Sequence, residues 1–178
     1  MARPSRREAL LDAGIRVIRR DGAQKLTLDA VAAEAGVSKG GILYHFATKR
    51  ALVDGLIARW IDDFELKLEA AEREGDVLAE YVECSDLTRE SPDVAASEFG
   101  MLAGMIDDPQ VLAAVRGFQD KWMARMLAGS ADPVDTWLVR LAADGLWYAD
   151  LLGLAAPRGD DRRALLARLV TLARGDTR

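Results

Sequence analysis

The 178-residue sequence predicts an all-α fold of about nine helices. Three observations carry that prediction. Apolar side chains recur at three- and four-residue spacing along almost the whole chain, the period of a helix with one buried face. The breaks between these stretches read as helix starts and stops, with serine, threonine or aspartate before a stretch and glycine or proline between stretches. No β-type alternation of useful length interrupts the pattern. Half of the residues are hydrophobic and 30% are charged, so the chain can bury a core.

The elements follow in order. In the first, Leu10, Ala13, Val17 and Ile18 share a face, Ser5 with Glu8 forms a capping-box pattern, and Asp21-Gly22 is the stop. Thr27 caps a short helix from Leu28 to Ala35 with Val31 and Ala32 inward, and Gly36 breaks it. Ser38 caps a third helix from about Lys39 to Phe46, with Ile42, Leu43 and Phe46 assigned inward. Thr48 caps a long fourth helix. Its stripe of Val53, Leu56, Ile57, Trp60, Phe64 and Leu68 runs to about Arg73, roughly 37 Å at about 1.5 Å per residue. Beyond Gly75-Asp76, helices are expected near 76–88, 93–106, 109–128, 133–155 and 160–174. Each Asp-Pro pair, Asp108-Pro109 and Asp132-Pro133, suits an N-cap followed by proline at the first helical position. The expected division is 1–47 and 48–178, with helix 48–73 shared between the parts.

Composition narrows the function. One cysteine cannot form an internal disulfide, and one cysteine with one histidine cannot make a Cys/His zinc site. A nucleophilic pair or triad would have to use His45, beside which no serine or carboxylate stands at an orienting spacing. No catalytic residue, metal or cofactor is expected, and the chain is not expected to be an enzyme. No stretch approaches the roughly 20 apolar residues of a membrane span. Glu8 and Asp12 fall where a secretory signal would need apolar residues, so the expected location is the cytoplasm, with no membrane partner. Charge is uneven: residues 1–50 hold ten Lys/Arg and five Asp/Glu (+5), and residues 51–178 hold fourteen and twenty-four (−10). A basic end on an acidic body is the asymmetry expected when one end meets a polyanion.

The stretch from Leu26 to Phe46 has the helix-turn-helix pattern, with glycine at the turn. Ala32 and Ala33 are small enough for close helix approach, Gly36 takes the bend, and Val37 plugs the angle. Ser38 caps a helix whose first turn would point into a major groove. Lys39, Gly40, Gly41, Tyr44 and His45 are then left on its outer face. Two adjacent glycines in a short helix weaken it by about 1 kcal/mol each, which makes sense if something must approach the backbone closely. Lysine, tyrosine and histidine offer donors to phosphates and base edges. A plain helical hairpin is the alternative.

Over residues 5–57 the sequence resembles the TetR/AcrR-type transcriptional regulators. The resemblance is carried by Ala13-Gly14 to Asp21-Gly22, Thr27-Leu28, Val31 through Gly40, Tyr44-His45-Phe46, and Thr48 through Leu52. Over 58–178 only helix count and length match. The resemblance implies a homodimer of all-α subunits, each with three DNA-binding helices and a C-terminal domain that binds a small ligand and dimerises mainly through its last two long helices. Ligand binding typically shifts the spacing of the heads and releases a palindromic operator on double-stranded DNA. It also implies phosphate contacts for Thr27 and Lys49, base approach for Lys39, Gly40 and Gly41, and phosphate or flanking-base contacts for Tyr44 and His45. One departure stands out: many relatives carry an aromatic residue that reaches a phosphate where this chain has Leu43. Arg3, Arg6 and Arg7 either add an N-terminal arm or do not contribute.

In the C-terminal part, Met101 and Met105, then Phe118, Trp122 and Met126, then Trp147 and Tyr148, are soft or aromatic side chains suited to an apolar or aromatic effector pocket. Ordinary core is the competing assignment. Asp144 either meets an effector donor or pairs with Arg140 one turn earlier. Cys84 reads as a small core residue, a redox role needing exposure and a lowered pKa. For the dimer interface the candidates are the small residues Ala142, Gly145, Ala149 and Gly153 with Leu165, Leu169 and Leu172. The function expected is a sequence-specific regulator, a repressor released by a small ligand. The alternatives are an all-α small-molecule-binding protein or enzyme in which the helix-turn-helix is unused, and a sequence-indifferent architectural DNA binder.

Overall fold

A computed structural model describes residues 5–87 and 109–175. Among them are eight α-helices and no strand: α1 Arg6–Asp21, α2 Leu28–Ala35, α3 Lys39–His45, α4 Lys49–Glu74, α5 Val77–Cys84, α6 Pro109–Ala128, α7 Pro133–Leu151 and α8 Gly159–Ala173. A 3-10 turn lies at Ala23–Lys25. The helix expected at 93–106, with Met101 and Met105, falls outside the described residues, as does Arg3.

Helix starts are set by local side chains. Ser5, Thr27, Ser38 and Thr48 each accept a backbone N–H three residues on, at 3.2, 3.1, 3.2 and 3.1 Å. Asp132 accepts the Val134 N–H at 2.7 Å, ahead of Pro133 at the helix start. Each bond satisfies a donor that the first turn would leave orphaned. One end is shorter than expected. Helix α7 stops at Leu151, and Gly153 follows at φ +65° with Leu154 N–H returning to the Ala149 carbonyl at 2.8 Å. Such a left-handed glycine ends a helix, so Gly153 is a terminator and not part of the helical small-residue face assigned to it.

The described residues form two compact units, 5–61 with 109–113, and 62–87 with 114–175. In the first, one apolar cluster joins Leu10, Leu11, Val17, Leu26, Val31, Ile42, Phe46, Leu52 and Leu56. Helix α4 contributes to it through an absent side chain as well: a Cβ at Gly55 would stand 2.9 Å from Phe46 Cε1 and 3.3 Å from Leu11 Cδ2. Glycine there lets α4 lie close against α1 and the end of α3.

In the second unit α5, α7 and α8 pack on one another. The buried set includes Leu68, Tyr81, Val82, Phe118, Trp122, Met126, Val139, Ala143, Leu146 and Leu169. One charge is buried with them. Arg162, 6% exposed, donates through Nε to Asp86 at 3.0 Å and through two further nitrogens to Asp150 at 3.0 and 2.7 Å. Removing either partner of such a pair costs about 3–5 kcal/mol, so this triad pins α8 to the chain after α5 and to the end of α7.

Candidate functional site

The turn between α2 and α3 is built by Gly36 at φ +67°, ψ +32°. Its N–H reaches the Ala33 carbonyl at 3.2 Å and the Val37 N–H reaches Ala32 at 2.9 Å, the bonding of a left-handed helix terminus. Val37 packs against the buried cluster. Helix α3 therefore leaves with a fixed orientation. Ile42 and Phe46, 0% and 2% exposed, face the core. Leu43 does not: it is 40% exposed. It lies about 100° around the helix from Ile42, which carries it out of the buried face to which the sequence pattern assigned it.

The outer face of α3 is open. Tyr44 is 86% exposed, edge-on to His45 with ring centroids 5.0 Å apart. Lys39 and Gly40 are exposed and Gly41 half-buried. A Cβ at Gly40 would meet nothing nearer than 3.9 Å and one at Gly41 nothing nearer than 3.5 Å. The head's own packing does not require either glycine. Thr27 and Ser38 are exposed, and as caps their oxygens accept N–H bonds, leaving each O–H able to donate outward.

Charges sort into two groups. Glu34 accepts from Arg16 at 2.7 Å and Arg20 at 2.6 Å, strapping α2 to α1, and the Arg16 and then the Arg20 bonds hold its carboxyl below the usual range. Arg7 lies within α1, with its guanidinium 5.4 Å from the Phe46 ring centre, so it braces α3 where an N-terminal arm was one expectation. Lys39 pairs with Asp29 at 3.1 Å, but both side chains are about 70% exposed at 69% and 72%. An exposed pair of this kind is worth only about 0–1 kcal/mol, and Lys39 can be drawn away by a stronger anion. Lys49 has no carboxylate within ion-pair distance among the described residues.

The second unit holds a polar network inside apolar packing. The Tyr81 hydroxyl donates to Asp144 at 2.6 Å, and Arg140 binds Asp144 at 3.0 Å and Gln119 at 3.1 Å. Asp144 thus has the Arg140 partner, plus one that was not foreseen. Burial raises its carboxyl above the usual value, and burial next to Asp144 raises Tyr81 as well. Phe64 stands edge-on to Tyr81 and Phe118, with centroids 5.8 and 5.5 Å apart. Phe118, Trp122 and Met126 are 4%, 1% and 4% exposed, and Met126 also lines a cleft of about 690 Å³ at the α5, α6 and α7 ends. Trp147 is half-buried, whereas Tyr148 is 44% exposed and faces outward. Cys84 is half-buried, donates to Glu80 at 3.3 Å, and is pushed up to about 12 by burial and that carboxylate. It is not an activated thiol. Among the described residues no three His, Cys, Asp or Glu side chains are grouped to hold a metal, and no helix is long and apolar enough to cross a membrane.

Helix α7 is apolar on two sides. Thr136, Val139, Ala143 and Leu146 are buried, while Val134, Leu138, Leu141, Tyr148 and Leu152 are 64%, 56%, 55%, 44% and 49% exposed. The second set, with exposed Gly145 at its centre, repeats every three to four residues along the opposite side. Ala142 and Ala149 flank it, half-buried. On α8, Leu165 and Leu172 are half-buried, but Leu169 is 4% exposed and belongs to the subunit's core. Trp137, Leu138 and Leu141 all stand outward, at 42%, 56% and 55% exposed, and the sequence signal for this is a second apolar stripe of seven-residue period on the same helix.

A capped, glycine-turned recognition helix on a three-helix head, followed by a helical second unit, defines a helix-turn-helix regulator. Comparison with known proteins agrees. Residues 10–56 match the model of the bacterial regulatory proteins of the tetR family, and residues 75–174 match the tetracyclin repressor-like C-terminal domain. The chain belongs to the TetR family of transcriptional regulators. Among solved structures, it is similar to a TetR-family member from Streptomyces coelicolor A3, with 25% identity and a TM-score of 0.69, covering 93% of this chain and 98% of that one. The multidrug binding protein EbrR in complex with malachite green is 26% identical with a TM-score of 0.66, covering 93% and 98%. A transcriptional regulator from Rhodococcus sp. Rha1, at 20% identity and a TM-score of 0.73 over 97% and 95%, shares the fold.

Proposed function

We propose that this regulator is a homodimeric repressor that binds a palindromic operator and leaves it when a small apolar or aromatic molecule binds the second unit. The observation that carries the reading is the two-sided character of α3: Ile42 and Phe46 are buried while Tyr44 is 86% exposed beside Lys39 and Gly40. With no side chain at 40 and 41, a duplex edge can reach the helix backbone. Lys39, Gly40 and Gly41 meet bases, Tyr44 and His45 meet phosphates or flanking bases, and Thr27, Ser38 and Lys49 hold the backbone.

The dimer reading is supported by the exposed stripe of α7, with Gly145, Ala142 and Ala149 allowing close approach and Leu165 and Leu172 of α8 alongside. Two heads related by symmetry read half-sites about 34–36 Å apart. The effector reading is supported by the buried Phe118, Trp122 and Met126 of α6, by the row of rings from Phe118 through Phe64 to Tyr81, and by the EbrR complexes with malachite green and ethidium. Tyr148 is reassigned from that pocket to the dimer face. Such a regulator works as a binding protein without chemistry of its own, in the cytoplasm where bacterial DNA lies. A gel-shift titration against the DNA flanking its own gene, with unlabelled competitor DNA, tests the proposal. A discrete complex that resists competitor is expected, and binding that competitor abolishes in proportion to its length would contradict it.

A further inference from the structure

Trp122 is 1% exposed, and its indole N–H is the sole buried side-chain nitrogen or oxygen without a hydrogen-bond partner among the described residues. Buried tryptophans normally satisfy that donor. A phenylalanine at this place would carry the aromatic packing without an unmet donor, so the N–H asks for a partner the chain does not supply. The two neighbouring cations are each already held by a carboxylate. The Arg125 guanidinium lies over the indole face at 4.3 Å and binds Glu72 at 2.8 Å, and Lys121, 5.6 Å from the ring centre, binds Glu65 at 2.8 Å. One turn earlier Phe118 begins an edge-on row through Phe64 to Tyr81, with centroids 5.5 and 5.8 Å apart. The surroundings therefore favour an aromatic body and offer one in-plane donor.

We infer that the Trp122 N–H is the anchoring donor for the effector, and that the effector is an aromatic molecule carrying a carbonyl or phenolic oxygen as acceptor. This rests on the second unit's being the effector-binding part. A site with a desolvated donor discriminates sharply between molecules that differ only in the matching acceptor.

Benzophenone and diphenylmethane form such a pair, alike in size and differing in one oxygen. Calorimetry on the full chain should find benzophenone binding at least tenfold more tightly, with the preference gone in Trp122→Phe. In ¹⁵N spectra of the wild-type chain, one of the four indole N–H resonances should move downfield with benzophenone and stay with diphenylmethane. That spectrum also decides the matter if the variant does not fold. Equal binding of the pair, or benzophenone binding that moves no indole resonance, overturns the inference. If neither binds while malachite green does, the effector-binding reading stands and the Trp122 anchor falls. If none of the three binds, both fall.

Discussion

Gly55 is where a single added carbon separates close helix packing from helix propensity. In Gly55→Ala the new Cβ would lie 2.9 Å from Phe46 Cε1, 3.1 Å from Arg7 and 3.3 Å from Leu11 Cδ2. The arginine end can move. Phe46 and Leu11, 2% and 0% exposed, have nowhere to go. Overpacking of this kind costs about 1–3 kcal/mol, while alanine in a helix interior returns about 1 kcal/mol. With two immobile neighbours the upper part of that cost, about 2–3 kcal/mol, applies, and the head should lose about 1–2 kcal/mol. Gly117→Ala is the control. It sits in α6, exposed, with nothing within 4 Å of a Cβ, and should gain about 0.5–1 kcal/mol. Amide hydrogen exchange at Val17, Val31 and Leu52 reads the head's stability separately from that of the second unit. Slower or unchanged exchange at those amides in Gly55→Ala would refute the packing argument. Because Phe46 ends α3, weaker operator binding should accompany the loss.

Three other outcomes are expected. The Glu34 carboxyl is held below its ordinary value near 4.5, first by Arg16 and then by Arg20. Its contribution to the head is therefore present above that value and is lost as pH falls through the lower folded one. Glu34→Gln should flatten the fall in stability below about pH 4.5, measured by thermal melts against pH; an unchanged acid limb would contradict the strap. Cys84, with its thiol near 12, should react with a thiol reagent at pH 8 far more slowly than free cysteine, and rapid labelling of the folded chain would contradict the burial. Gly145→Arg places a charge on the exposed stripe where nothing in the subunit stands within 4 Å. Sedimentation should find folded monomers, and a variant still dimeric would move the interface elsewhere.

The features legible in the sequence were those whose causes are local. Ser5, Thr27, Ser38, Thr48 and Asp132 cap helices through atoms two or three residues away, and the α2–α3 turn follows from one glycine. What stayed hidden depends on partners far along the chain. Asp144 could be matched to Arg140 on its own helix but not to Tyr81, 63 positions away, and Arg162 gave no hint of Asp86, 76 positions away. Nothing local to Gly55 shows that Phe46 and Leu11 stand against it. Leu43 went astray because apolar character was read as inward at the rim of a buried face. Leu169 is buried and Tyr148 exposed for a similar reason: apolar residues on a helix do not say which of its sides its own subunit covers.

The most direct measurement is the affinity of a Lys39→Ala, Tyr44→Ala double variant for the operator and for unrelated DNA. Both side chains are largely exposed, Lys39 at 69% and Tyr44 at 86%, so the thermal melt should not change. At about 1–3 kcal/mol for each good contact, specific affinity should fall by on the order of 100-fold, with a much smaller loss on unrelated DNA. A folded double variant that holds the operator as tightly as the wild type would show that α3 does not read the duplex.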